Sequence, residues 1–148
     1  MKKIAYFFAA GAMALASCSN EPAYKIAGTS ENVADGEYVY LQEAKGRELV
    51  KLDSAVVTAG KFTFEGRQDA AVNRYLSYTP KEGRAPRLDF FLENGDINVV
   101  FGENASVTGT PNNDLYQAYK NESVALNKEM MELYQQLREE GITDEKKA

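Results

Sequence analysis

Leu88-Asp89-Phe90-Phe91-Leu92-Glu93-Asn94-Gly95-Asp96-Ile97-Asn98-Val99-Val100-Phe101 sets two strand-forming runs on either side of an Asn-Gly pair. Phe, Ile, Val and Leu dominate both runs, and they are the residues that fit a half-buried pleated surface. Asn-Gly supplies the positive φ that a two-residue hairpin turn needs, so the stretch predicts two antiparallel strands joined tightly.

The same grammar extends outward. Residues 61–65 alternate, with Phe62 and Phe64 on one face and charged or hydroxyl residues on the other. Residues 24–28, 37–42, 48–57 and 74–79 read as further strands, with turns at Asp35-Gly36, Lys45-Gly46-Arg47 and Ala59-Gly60. The expectation is a mainly β domain over residues 24–110: an antiparallel β-sandwich or open barrel of about seven to eight strands.

At residue 111 the period changes. Pro111-Asn112-Asn113-Asp114 offers capping side chains, and Gln117 lies three residues beyond Asp114, the spacing of a capping box. From Leu115 the apolar residues form a helical stripe of Tyr116, Tyr119, Leu126, Met130, Leu133 and Leu137. Residues 111–148 therefore read as one long amphipathic α-helix with a tail, Gly141 being a good stop. Tyr119, Leu126 and Leu133 are seven apart, as are Met130 and Leu137, with Ser123 breaking the second row. That is a weak coiled-coil pattern, and packing of the stripe on the chain's own domain or on a partner is the favoured reading.

The N-terminus is an address. Lys2 and Lys3 precede an uncharged apolar stretch over residues 4–15, too short to span a bilayer and shaped like an export signal over residues 1–17. Leu15-Ala16-Ser17-Cys18 resembles the bacterial lipobox, in which an aliphatic residue and two small ones precede an obligatory cysteine. The resemblance implies cleavage before Cys18, lipidation of its thiol, and a polar tether over residues 18–23. Each buried methylene contributes about 0.8 kcal/mol, so two or more acyl chains hold stably where one is marginal. Ser19 in place of Asp after the cysteine points to the outer membrane of the cell envelope, with the leaflet left open.

Composition narrows the chemistry. Removing residues 1–17 leaves 131 residues and takes the formal charge from −5 to −7, which argues against nucleic acid as a partner. Without a histidine, the chain has no Ser-His-Asp or Cys-His catalysis and no His-zinc site. Its single cysteine leaves no intramolecular disulfide, CxxC pair or thiolate cluster. The expectation is no enzyme, cofactor or metal. Asp89, Glu93 and Asp96 crowd the Asn94-Gly95 turn, but a turn alone does not set two carboxylates across a cleft or supply six oxygen ligands. The basic loop over residues 81–87 lacks a phosphate cradle. Asp53-Ser54-Ala55 resembles the Asp-Ser/Thr-aliphatic acceptor of bacterial O-glycosylation, which makes Ser54, with Asp53 before it, a candidate modification site.

Several stretches together resemble one family. They are residues 24–28, Asp35-Gly36 with residues 39–41, residues 52–57 and 60–66, Phe90-Phe91-Leu92-Glu93-Asn94-Gly95, and Gly109-Thr110-Pro111-Asn112-Asn113. The resemblance is to an uncharacterised domain at the N-terminus of lipoproteins whose second half is thioredoxin-like, of the peroxiredoxin or TlpA type. It implies a β-sandwich followed by a helical linker. No counterpart of the thioredoxin-like half occurs up to Ala148, so no catalytic residue carries over, and a stand-alone or truncated version is expected. The leading expectation is a membrane-tethered, non-catalytic binding or scaffold module for an envelope protein or small molecule. The alternatives are an accessory to a thioredoxin-like redox system and a glycan-binding sandwich using Tyr38, Tyr40, Tyr75 and Tyr78.

Overall fold

A computed structural model describes residues 23–80, 86–102 and 104–139. Eight strands form two four-stranded sheets, and one long helix follows them. The strands are β1 (Tyr24–Ser30), β2 (Tyr38–Lys45), β3 (Glu48–Val56), β4 (Lys61–Gly66), β5 (Val72–Tyr78), β6 (Arg87–Leu92), β7 (Gly95–Phe101) and β8 (Ser106–Thr108). The helix α1 spans Pro111–Glu139. One sheet has the order β4-β1-β7-β8 and the other β3-β2-β5-β6. The sandwich and the C-terminal helix are as the residue pattern predicts.

Period-two burial explains why the sheets face each other. Ile26, Phe62, Phe64, Ile97, Val99, Phe101 and Val107 point inward from the first sheet. Val39, Leu41, Leu76, Leu88, Phe90 and Leu92 meet them from the second, with Val33 and Val57 closing the core. At about 25 cal/mol per Å² of apolar area removed from water, this shared core is the main stabilising contribution to the body. Space is tight at Gly28, which lies opposite Phe62 in the β1–β4 register, and a Cβ there would overlap the Phe62 ring.

The Asn94-Gly95 hairpin does not form. β6 pairs with β5 in one sheet, whereas β7 leaves for the other and runs parallel to β1, with Ile26 beside Ile97 and Gly28 beside Val99. A type I′ turn needs positive φ at both central residues, and here only Gly95 has it, at 133°. Asn94 is instead drawn into a long-range contact. Its Oδ1 accepts from the Gln68 N–H at 3.0 Å, and its Nδ2 donates to the Gln68 carbonyl at 2.6 Å. Asn94-Gly95 thus carries the chain between sheets, and the β1–β7 pair departs from the all-antiparallel expectation.

The tight turn with primed geometry lies elsewhere. Ala59 and Gly60 have φ of 50° and 68°, and Thr58 and Lys61 exchange backbone hydrogen bonds of 2.9 and 3.0 Å around them. Between β2 and β3, Gly46 at φ 64° opens a two-residue turn closed by the Lys45–Glu48 pair, as the sequence predicts.

Candidate functional site

Where α1 leaves the sandwich, a network of side chains fixes its start. Thr110 caps the helix, its carbonyl accepting the Asp114 N–H at 2.8 Å, and Pro111 takes the first helical position, where no N–H is needed. The helix therefore starts at Pro111 with Thr110 outside it. Asp114 and Gln117 do not form the predicted capping box. Asp114 Oδ1 accepts from the Gly109 N–H at 2.7 Å, and Gln117 Oε1 accepts from the Val107 N–H at 3.1 Å.

Asn113 is the centre of this latch and is 1% exposed. Its amide pairs with Phe91 as a neighbouring strand residue would: Oδ1 accepts the Phe91 N–H at 2.9 Å and Nδ2 donates to the Phe91 carbonyl at 2.7 Å. Nδ2 also donates to Thr110 Oγ1 at 2.8 Å. Glu93 completes the attachment by accepting from the Asn112 N–H at 3.0 Å and from Asn112 Nδ2 at 2.6 Å. Burial pushes the Glu93 carboxyl up, but hydrogen bonds from Thr110, Asn112 and Asn113 outweigh it and hold its pKa below the usual carboxylate value. A carboxylate at a helix N-terminus also opposes the positive end of the macrodipole.

Tyr116 adds an aromatic contact. Its ring meets Phe91 edge-on with centroids 5.6 Å apart, and its hydroxyl donates to Asp89 Oδ2. That hydrogen bond, then burial, pushes the Tyr116 pKa up to about 12. Lys120 Nζ lies 4.5 Å from the Tyr116 ring centroid. The carboxylates near the 94–95 turn are therefore divided among separate duties. Asp89 holds Tyr116, Glu93 holds the helix N-terminus, and Asp96 lies exposed on β7. Among the described residues, no three of His, Cys, Asp and Glu are grouped as metal ligands.

The outer face of the β3-β2-β5-β6 sheet carries Tyr38, Tyr40 and Tyr75, while Tyr78 turns inward against Phe101. Tyr38 and Tyr40 are stacked with centroids 6.3 Å apart. Lys51 Nζ lies 3.5 Å over the Tyr40 ring, and Arg87 lies 5.0 Å over Tyr75. Those ring faces are already occupied by the chain's own cations, which removes most of the open platform that a stacked sugar would need.

The other sequence-selected residues fall as follows. Leu15, Ala16, Ser17 and Cys18 lie outside the described residues, as does most of the basic loop, residues 81–85. Ser54 is exposed on the edge strand β3, where Asp53 Oδ1 accepts its N–H at 2.7 Å. Of the helical stripe, Tyr116 alone is docked. Tyr119, Leu126, Met130, Leu133 and Leu137 are 43–66% exposed. No described helix is long and apolar enough to cross a membrane. The helix start at Pro111 is as the sequence predicts, whereas the pairing of Asn113 with Phe91 has no local sequence signal beyond an Asn in the first helical turn.

Residues 24–116 match the model of a family described as a domain of unknown function, DUF4369. No curated protein matches the chain, and no solved structure does.

Proposed function

We propose that this chain, which belongs to the DUF4369 family, is a lipid-anchored, non-catalytic binding or scaffold module of the cell envelope. The observation that carries the reading is how its side chains are spent. Asp89, Glu93 and Tyr116 are committed to holding α1, while a long apolar stripe on the same helix faces solvent. A surface of that kind suits a partner better than a reaction. The address comes from Leu15-Ala16-Ser17-Cys18 after an apolar segment. Cys18 would carry the lipid, and the outer membrane is the proposed destination.

Fractionation of the full chain in a Gram-negative envelope tests the reading. Wild type is expected in the membrane fraction, and Cys18→Ala in the soluble or unprocessed pool. An unchanged distribution would refute the anchor. Turnover of the purified wild type across a hydrolase panel would refute the non-catalytic role.

The association with thioredoxin-like lipoproteins belongs to the same proposal and rests on the resemblance alone. A thioredoxin-like protein cross-linked to the native chain supports it, and its absence from every cross-linked product counts against it. Ser54 is proposed as a glycan acceptor because it is exposed beside Asp53. Hexose mass that disappears in Ser54→Ala is the expected signature, and an unmodified intact mass from the native host excludes it.

A further inference from the structure

β6 and β8 are the last strands of their sheets on one side of the sandwich, and β3 and β4 are the last on the other. An edge strand offers unpaired N–H and carbonyl groups to any second strand, so folded proteins protect it. The β3 and β4 edges are protected by their own residues. β3 carries Glu48, Lys51 and Asp53 with a bulge at Leu52, and β4 carries Lys61 and Glu65. The β6 and β8 edges lack such devices. Over residues 88–92 the single charge is Asp89, which already accepts from Tyr116, and Ser106-Val107-Thr108 has none. Leu88, Phe90, Phe91 and Leu92 make the β6 run apolar and strand-forming, the kind that pairs with its own sort when uncovered.

On that side α1 supplies the missing partners. In an antiparallel strand the N–H and carbonyl of one residue point the same way, and Asn113 takes both groups of Phe91, at 2.9 and 2.7 Å. One turn on, Gln117 Oε1 accepts the Val107 N–H of β8 at 3.1 Å. Asp114 Oδ1 accepts the Gly109 N–H, just past β8, at 2.7 Å. Positions 113 and 117 share a helix face about 6 Å apart along the axis, and the longer Gln arm lets them bridge sheets that pack about 10 Å apart. Side chains of one helix thus stand where a further strand of each sheet would be. We propose that the first two turns of α1 are an edge guard, and that releasing them opens β6 to strand addition. In the purified protein the strand that adds is β6 of a second copy.

Asn113→Ala combined with Gln117→Ala in the full chain, kept in mild detergent, tests the guard by amide-resolved hydrogen exchange and by sedimentation. At low protein concentration the Phe91 and Val107 amides should exchange at least tenfold faster than in wild type, while those of β1 and β2 keep their rates. At high concentration the variant should associate beyond wild type, and protection should return to Phe91 as β6 gains a strand. Gln117→Ala alone, the milder change, should speed exchange at Val107 and leave Phe91 protected. Met131→Ala, on the exposed part of the helix, should alter neither readout. Unchanged exchange at both edges, or equal acceleration across the whole sandwich in both latch variants, would overturn the proposal. So would an opened β6 edge that adds no association, or association that leaves the Phe91 amide unprotected.

Discussion

At the scale of single residues, Asn113 carries more of the architecture than its small polar side chain suggests. It satisfies the Phe91 N–H and carbonyl from outside the sheet, so β6 ends its pairing on a side chain of the helix. Asn113→Ala leaves those groups unpaired in a partly buried place, where each orphaned group costs about 1–3 kcal/mol. We expect urea denaturation to show a loss of roughly 2–3 kcal/mol. Asn112→Ala, at an exposed position, should cost less than half as much. Equal losses would mean that the latch is not centred on Asn113. Little of this was visible in the sequence, because an Asn near a helix start reads as a cap whether or not it also reaches a strand.

At the scale of elements, the junction of α1 with the sandwich depends on the protonation of Tyr116. Its hydroxyl donates to Asp89, and its pKa is raised from 10.0 to about 12. Because the folded value lies above the unfolded one, the stabilisation is fully present below pH 10. It is lost as pH rises from 10 toward 12. Tyr116→Phe should remove this dependence. Helix docking followed by near-UV circular dichroism should loosen in that window for wild type and show a flatter profile for the variant. Identical profiles would assign the alkaline change to other groups.

Which elements exist was legible from period-two and helical patterning. How they connect was not. Asn94-Gly95 has the chemistry of a hairpin, and nothing local distinguishes it from a crossing between sheets. The outcome is decided by the parallel register of β7 on β1, residues about seventy positions away, and by the grip of Asn94 on Gln68. The tyrosines behaved similarly. Alternation places Tyr38 and Tyr40 on one face, but only the cross-strand register shows Lys51 lying over Tyr40. At the candidate site, the helix stripe was legible as a pattern. Its exposure was not, since the same spacing serves a packed helix equally well.

At the scale of the whole molecule, the sandwich supplies a rigid body, and α1, about 43 Å long at 1.5 Å per residue, extends an apolar seam past it. The proposed lipid on Cys18 would hold that body at a membrane surface a short tether away. Anchoring is the central claim, and the N-terminal peptide of the envelope-isolated protein tests it most directly by mass spectrometry. The account predicts a peptide that begins at Cys18 and carries the mass of a diacylglyceryl group. A peptide that retains residues 1–17, or one that begins at or after residue 18 without lipid, would contradict it.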